Sequence, residues 1–137
     1  MTKADQEIAR HFTERYRIGP AEVSRQIELA VIGGDWGANG YTTMAQAGLL
    51  ARKLGLRLGV QLLDLGAGRG WPGLYLAAAT GCQAVLADVP IEGLRAAAAR
   101  ARRERLAGRA GQVAASARAL PFAAAAFDAI VHTDVLC

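Results

Sequence analysis

The chain has 137 residues, 53% of them hydrophobic and 20% charged, with a formal net charge of +4. That length holds one domain with a real core, and the composition excludes a disordered chain. No window has the uninterrupted apolar length of a membrane span, and Lys3, Asp5, Glu7 and Arg10 at the N-terminus exclude a secretory leader.

The first predicted element is a helix over residues 4–17, with Ile8, Phe12 and Tyr16 stepping along one face. Gly19-Pro20 ends it and opens a second helix with Pro20 at its first position and Val23, Ile27, Ala30 and Val31 as its apolar stripe. Residues 33–40, GGDWGANG, read as a loop in which Trp36 either packs on the domain or covers a ligand. Thr43-Met44-Ala45-Gln46 has capping-box form, and Met44, Ala47, Ala51, Leu54 and Leu58 trace the buried face of a third helix that frays at Gly55 and Gly59. This helical preface serves as a lid or as packing, with residues 1–40 an N-terminal extension and 41–137 the main domain.

Residues 60–73, VQLLDLGAGRGWPG, organise the rest. Val60, Leu62, Leu63 and Leu65 make a short apolar run typical of a buried parallel strand. Gly66, Gly68 and Gly70 break it, and after Trp71-Pro72 an apolar segment from Leu74 to Ala79 reads as helix. Strand, glycine turn and helix N-terminus together favour an anionic ligand group, held by free N–H groups close to bare backbone.

A second strand follows at 83–87, closed by Asp88. A carboxylate at a strand end can accept from both ribose hydroxyls of a nucleoside, or it can cap the helix that starts near Pro90. In that helix Ile91, Leu94, Ala98 and Ala101 should face the sheet, leaving the arginines in water. Arg95, Arg100, Arg102, Arg103, Arg105 and Arg109 crowd this stretch, yet no aromatic residue interleaves with them. A solvated outer face is therefore preferred to a phosphate-binding one, and no nucleic-acid partner is expected. A third strand is read at 111–116 and a fourth at 127–131, with His132, Thr133 and Asp134 at its end. Strands alternating with helices imply a Rossmann-like, doubly wound parallel sheet of the α/β class. Cys82 and Cys137 have no metal-ligand spacing, so no metal is expected, and the default location is cytoplasmic.

Two cofactor classes use such a turn. Gly68, Gly70 and Gly73 satisfy the dinucleotide pattern G-x-G-x-x-G, which with Asp88 would make an NAD(P)-dependent oxidoreductase. Asp64, Gly66, Gly68 and Gly70 instead spell D-x-G-x-G-x-G. LLDLGAGRG (62–70), VLADVP (85–90), ALPF (119–122) and FDAIVHTDVL (127–136) resemble, in order and spacing, successive motifs of class I S-adenosylmethionine-dependent methyltransferases, and GYTT (40–43) is similar to the segment that closes over the cofactor in small-molecule members.

The resemblance implies strand order 3-2-1-4 for the strands present, S-adenosylmethionine as cofactor, and a small-molecule methyl acceptor as partner. It implies that Gly66, Ala67 and Gly68 lie against the methionyl part, that Asp64 helps place its amino group, and that Tyr41 belongs to the covering segment. Asp88 would hold the ribose hydroxyls, Val89 would pack on adenine, and Ser116 and Ala117 would line its edge. His132 and Thr133 would sit near the methionine moiety and the transferred methyl, with His132 the nearest candidate for a general base. Asp is common in the family where this chain has Ser116, and a hydroxyl is a weaker acceptor than a carboxylate. The family's sheet continues beyond the fourth strand, so the chain is read as a fragment or truncated product. Its open strand-four edge is then expected to self-associate. A non-catalytic ligand-binding remnant is the third reading.

Overall fold

The computed structural model describes residues 2–135. Its strands, β1 (Gln61–Leu65), β2 (Gln83–Asp88), β3 (Ala110–Ala114) and β4 (Ala129–Val131), form one sheet in the order β3-β2-β1-β4. Every pairing is parallel, as the expected crossovers require. The crossovers are α4 (Gly73–Thr80) between β1 and β2, and α5 (Ile91–Arg103) between β2 and β3. β4 is shorter than its sequence suggests. Phe127 leaves the sheet to meet Phe122 edge-on at 4.9 Å, and Asp128 is occupied by Gln61, exchanging both backbone donors at the start of β1. Ser116 likewise falls beyond β3, in the following turn.

The sheet has one dry face. Leu62, Ala84, Leu86, Ala110, Ala129 and Val131 are buried in the core cluster with Leu74, Leu76 and Ala77 of α4 and Leu94, Ala97 and Ala101 of α5. Such large side chains each contribute about 1.5–3 kcal/mol by leaving water. Leu63, Val85 and Ile130 are in register on the opposite face. The segment containing Leu120, Phe122 and Phe127 reaches that face, forming an apolar groove with Leu63 and Ile130. Ile130 is consequently 54% exposed.

α5 is rotated relative to the expectation. Gly93, Leu94, Ala97 and Ala101 are buried, whereas Ile91 is exposed. Nor do all its arginines face water. Arg100 donates to the Asp35 backbone carbonyl at 2.7 Å and stands over the Trp36 ring. Arg105 and Arg109 lie past the helix end.

The N-terminal helices depart further from their sequence patterns. α1 (Lys3–Ile18) starts with a complete Thr2/Asp5 capping box but contains no buried residue. Phe12 and Tyr16 turn inward while Ile8 is exposed. α2 (Glu22–Val31) begins after Pro20, with Ala21 rather than proline at its cap. Its expected stripe is in water: Val23, Ile27, Ala30 and Val31 are all exposed, and the buried side chains on this side are Glu28 and, just past the helix, Ile32. The cause is the loop at 33–40, whose amides need acceptors. Glu28 Oε1 accepts from the Trp36 and Ala38 N–H groups at 2.7 and 3.0 Å. Turning Glu28 inward turns the valines and isoleucine out. Trp36 packs on the domain, with Trp71 and Tyr75 at 6.2 and 5.7 Å. α3 (Met44–Lys53) has the expected Thr43/Gln46 capping box and buries Ala47, but it stops before Leu58, which is exposed.

Candidate functional site

Register brings the candidate residues to one edge. Leu65 of β1 pairs with Ala87 of β2, so Asp88 stands level with Gly66, and Asp88 itself pairs with Ala114. His132 and Thr133 follow β4 next to the end of β1. The carboxyl ends of the strands, with β1 flanked by β2 and β4, form the switch point where α/β sheets take ligands.

The turn is tied down by two carboxylates. Asp64, on the α4 side of β1, accepts from the Gly73 N–H at 2.8 Å and is 1% exposed. It satisfies the first amide of α4, so Asp64 is sealed beneath the helix rather than open to a ligand. Burial pushes its carboxyl well above the ordinary range, against the lowering effect of the Gly73 bond, and Asp88 adds to the rise. A Cβ on Gly73 would collide with Leu86 and stand 2.6 Å from Asp64 Oδ2, so any larger residue here would force those side chains to shift.

Asp88 does not cap α5. Its Oδ2 accepts from the Gly68 N–H at 2.7 Å and its Oδ1 from the Val89 N–H at 2.7 Å. It therefore braces the glycine turn across the β1–β2 gap. Burial raises its carboxyl pKa, opposed by those two bonds. Val89 is half-buried beside it.

The remaining candidates are scattered around this centre. Ser116 is half-buried, but its hydroxyl accepts from the Arg118 N–H at 3.3 Å within its own turn; Ala117 is exposed. Tyr41 is 83% exposed, and the next peptide is clamped on both sides: Thr42 N–H donates to Asp134 at 3.1 Å, and its carbonyl accepts from the Trp71 indole at 3.0 Å. His132 is exposed and Thr133 half-buried. Ala67 is buried and Gly66 open.

Two residues at the turn escaped the sequence reading. Tyr16 of α1 reaches the turn: a Cβ built on Gly68 would lie 2.7 Å from its hydroxyl. Val135 stands over the Cβ side of Gly66, 2.5 Å from the equivalent point, while the rest of that glycine stays exposed. Arg69, between the glycines, places its guanidinium over the Tyr16 ring at 5.2 Å. Burial raises the Tyr16 phenol pKa, with Asp88 adding to it, and burial lowers that of Arg69. The only sequence signal for Tyr16 was its place on the apolar face of α1.

The family described as "Methyltransferase domain" matches residues 62–137, more than half of the chain. Among solved structures, the [4+2]-cyclase SpnF is 27% identical with a TM-score of 0.61, covering 82% of this chain and 48% of that one. A methyltransferase from Thiobacillus denitrificans, determined with S-adenosyl-L-homocysteine, is 22% identical with a TM-score of 0.52, covering 71% of this chain and 37% of its own. YcgJ from Bacillus subtilis is 24% identical with a TM-score of 0.58, covering 63% and 36%. No curated protein matches. The chain thus spans less than half the length of these relatives, and among the described residues no helix is long and apolar enough to cross a membrane. The motif order, the sheet order and the family match agree: the chain belongs to the class I S-adenosylmethionine-dependent methyltransferase family.

Proposed function

We propose that residues 41–137 form the cofactor-binding half of a small-molecule methyltransferase of the cytoplasm, with residues 1–40 as its helical cover. The observation that carries this reading is the Asp88 carboxylate, set at the end of β2 and level with the Gly66–Gly68 turn that it braces. An acceptor in that place suits the hydroxyls of a ribose, and the bare backbone of Gly66 suits close approach by the amino-acid end of the same ligand. S-adenosylmethionine, when bound, supplies a methyl group on a sulfonium, already activated for in-line displacement. The chain's own task is then to bind and orient. Val89 and the turn at Ser116–Ala117 offer an apolar and a hydroxyl wall on the β3 side. Thr133 lines the β4 side, and His132 stands where it could take a proton from an acceptor that carries one. Asp64 acts at one remove, since it holds Gly73 and with it the start of α4.

Calorimetric titration with S-adenosylmethionine and with NAD tests the reading. Binding of the former and not the latter is expected. Asp88→Ala should weaken it by about 1.5–3 kcal/mol, because hydrogen bonds to a charged group are lost. Unchanged affinity in a folded variant would sink the ribose assignment. Gly68→Val is a poorer probe, since φ there is +52° and Tyr16 is already in contact, so the substitution would disturb the turn itself. The fold also serves the [4+2]-cyclase SpnF, so ligand binding without methyl transfer is the second reading. Transfer assays with small-molecule acceptors, on this chain and on a longer form, separate the two.

A further inference from the structure

We infer that α1 is an autoinhibitory strap: Tyr16 occupies the cofactor turn at Gly68, and the cofactor competes with it for that place. The inference rests on the cofactor reading above. Three observations carry it. The point that a Cβ on Gly68 would take is 2.7 Å from the Tyr16 hydroxyl and 3.3 Å from Cζ, so the space over the bare backbone is already filled by this chain. A Cβ on Gly93 of α5 would lie 3.0 Å from the same ring, so the phenol is wedged between the turn and the next helix. Arg69, itself part of the turn, then locks it. Its guanidinium donates to the Arg15 carbonyl at 3.1 Å and the Tyr16 carbonyl at 3.5 Å, in the last turn of α1 where a cation is favoured, and covers the ring.

Away from this grip, α1 lies at the surface of the domain. It has no buried residue. Its other ties are packing against α5 and two ion pairs, Arg17–Glu92 at 3.7 Å and Arg118–Asp5 at 3.2 Å, in which both arginines are largely exposed. Exposed pairs of this kind hold little. The strap is thus fastened at its tip, on the ligand site, and along the rest of its length rests on α5 without burying a residue. Detaching it uncovers Gly68 without breaking the core. A ligand that needs the open form shows an affinity reduced by the fraction of chains that are open.

The test uses the full chain and S-adenosylhomocysteine as probe. Tyr16→Ala should bind it at least about threefold more tightly than the unaltered chain, chiefly through faster association. Equal or weaker binding by Tyr16→Ala would overturn the inference, the latter making Tyr16 a ligand contact. Hydrogen exchange on the unaltered chain needs no variant. Amides of α1 should lose protection when the probe is added, and a gain or no change would overturn the strap. If neither form binds the probe, the cofactor reading fails and takes the strap with it. If both bind equally, only the strap fails.

Discussion

α2 and α4 invert each other. α2 has a clean apolar stripe in sequence and leaves it in water, whereas α4 has no polar face to speak of and buries Gly73, Leu74, Leu76 and Ala77. The difference lies in what each helix must satisfy. α4 lies on the sheet, and its first amide is answered from inside by Asp64. α2 lies outside the sheet's cover, and its inward position goes to Glu28, the acceptor that the 33–40 loop requires. An amphipathic pattern tells which residues are alike; it does not tell which side a buried hydrogen bond will claim.

The sharpest way to break the comparison is at the α4 junction. Gly73→Ala should cost about 2–3 kcal/mol of stability, because the added methyl meets Leu86 and Asp64 in a close-packed interior. An unchanged midpoint of thermal unfolding would show that α4 is not seated as described.

A second test uses the buried carboxyls. Asp64 and Asp88 both have folded-state pKa values above the ordinary 3.8. Between 3.8 and those raised values the folded state holds more protons than the unfolded one. Their contribution to stability is therefore complete below the ordinary carboxylate range and is lost as pH rises through the raised values. Asp64→Asn should flatten that decline in denaturant titrations run from acid to neutral pH. A slope identical to that of the unaltered chain would mean Asp64 is ionised where it stands.

Next in size is the half-covered sheet. Among the described residues β4 has no partner on its outer side, and Ile130 lies beside the groove of Leu120, Phe122 and Phe127. The chain should self-associate with rising concentration, and Ile130→Lys should reduce this in sedimentation velocity by placing a charge on an edge strand. A monodisperse unaltered chain would count against an adhesive edge. The smallest effect is expected on α2. Val23→Ser should change stability by no more than about 0.5 kcal/mol, the usual scale for a surface position. A loss well above that would put the stripe back into a packed interface.

The sheet and its turn were legible because their signals are local. Alternating strand and helix lengths, three glycines after an apolar run and an acid at the next strand end dictate connectivity, and parallel strands with short crossovers leave few arrangements. Asp64 shows the limit of the same reading. Its motif position pointed to a ligand, while the fold turns it under α4 onto the Gly73 amide. Asp88 went the other way. It could have capped α5 or faced the switch point, and the structure gives it a bond to Gly68, 20 residues upstream, with no side-chain cap on α5. Arg100 left the solvated face because Asp35 and Trp36, distant in sequence, offered it a carbonyl and a ring.

By itself, then, the sequence determined the order of elements, the family and the edge of the sheet at which the candidate residues gather, since periodicity, glycine placement and motif spacing act over a few residues. Only the tertiary structure decided the rotation of the helices, the burial of Glu28 and Asp64, and the seat of Tyr16 on Gly68. Those depend on pairing between residues far apart in the chain, where one buried hydrogen bond left unmade costs about as much as an apolar side chain gains by burial.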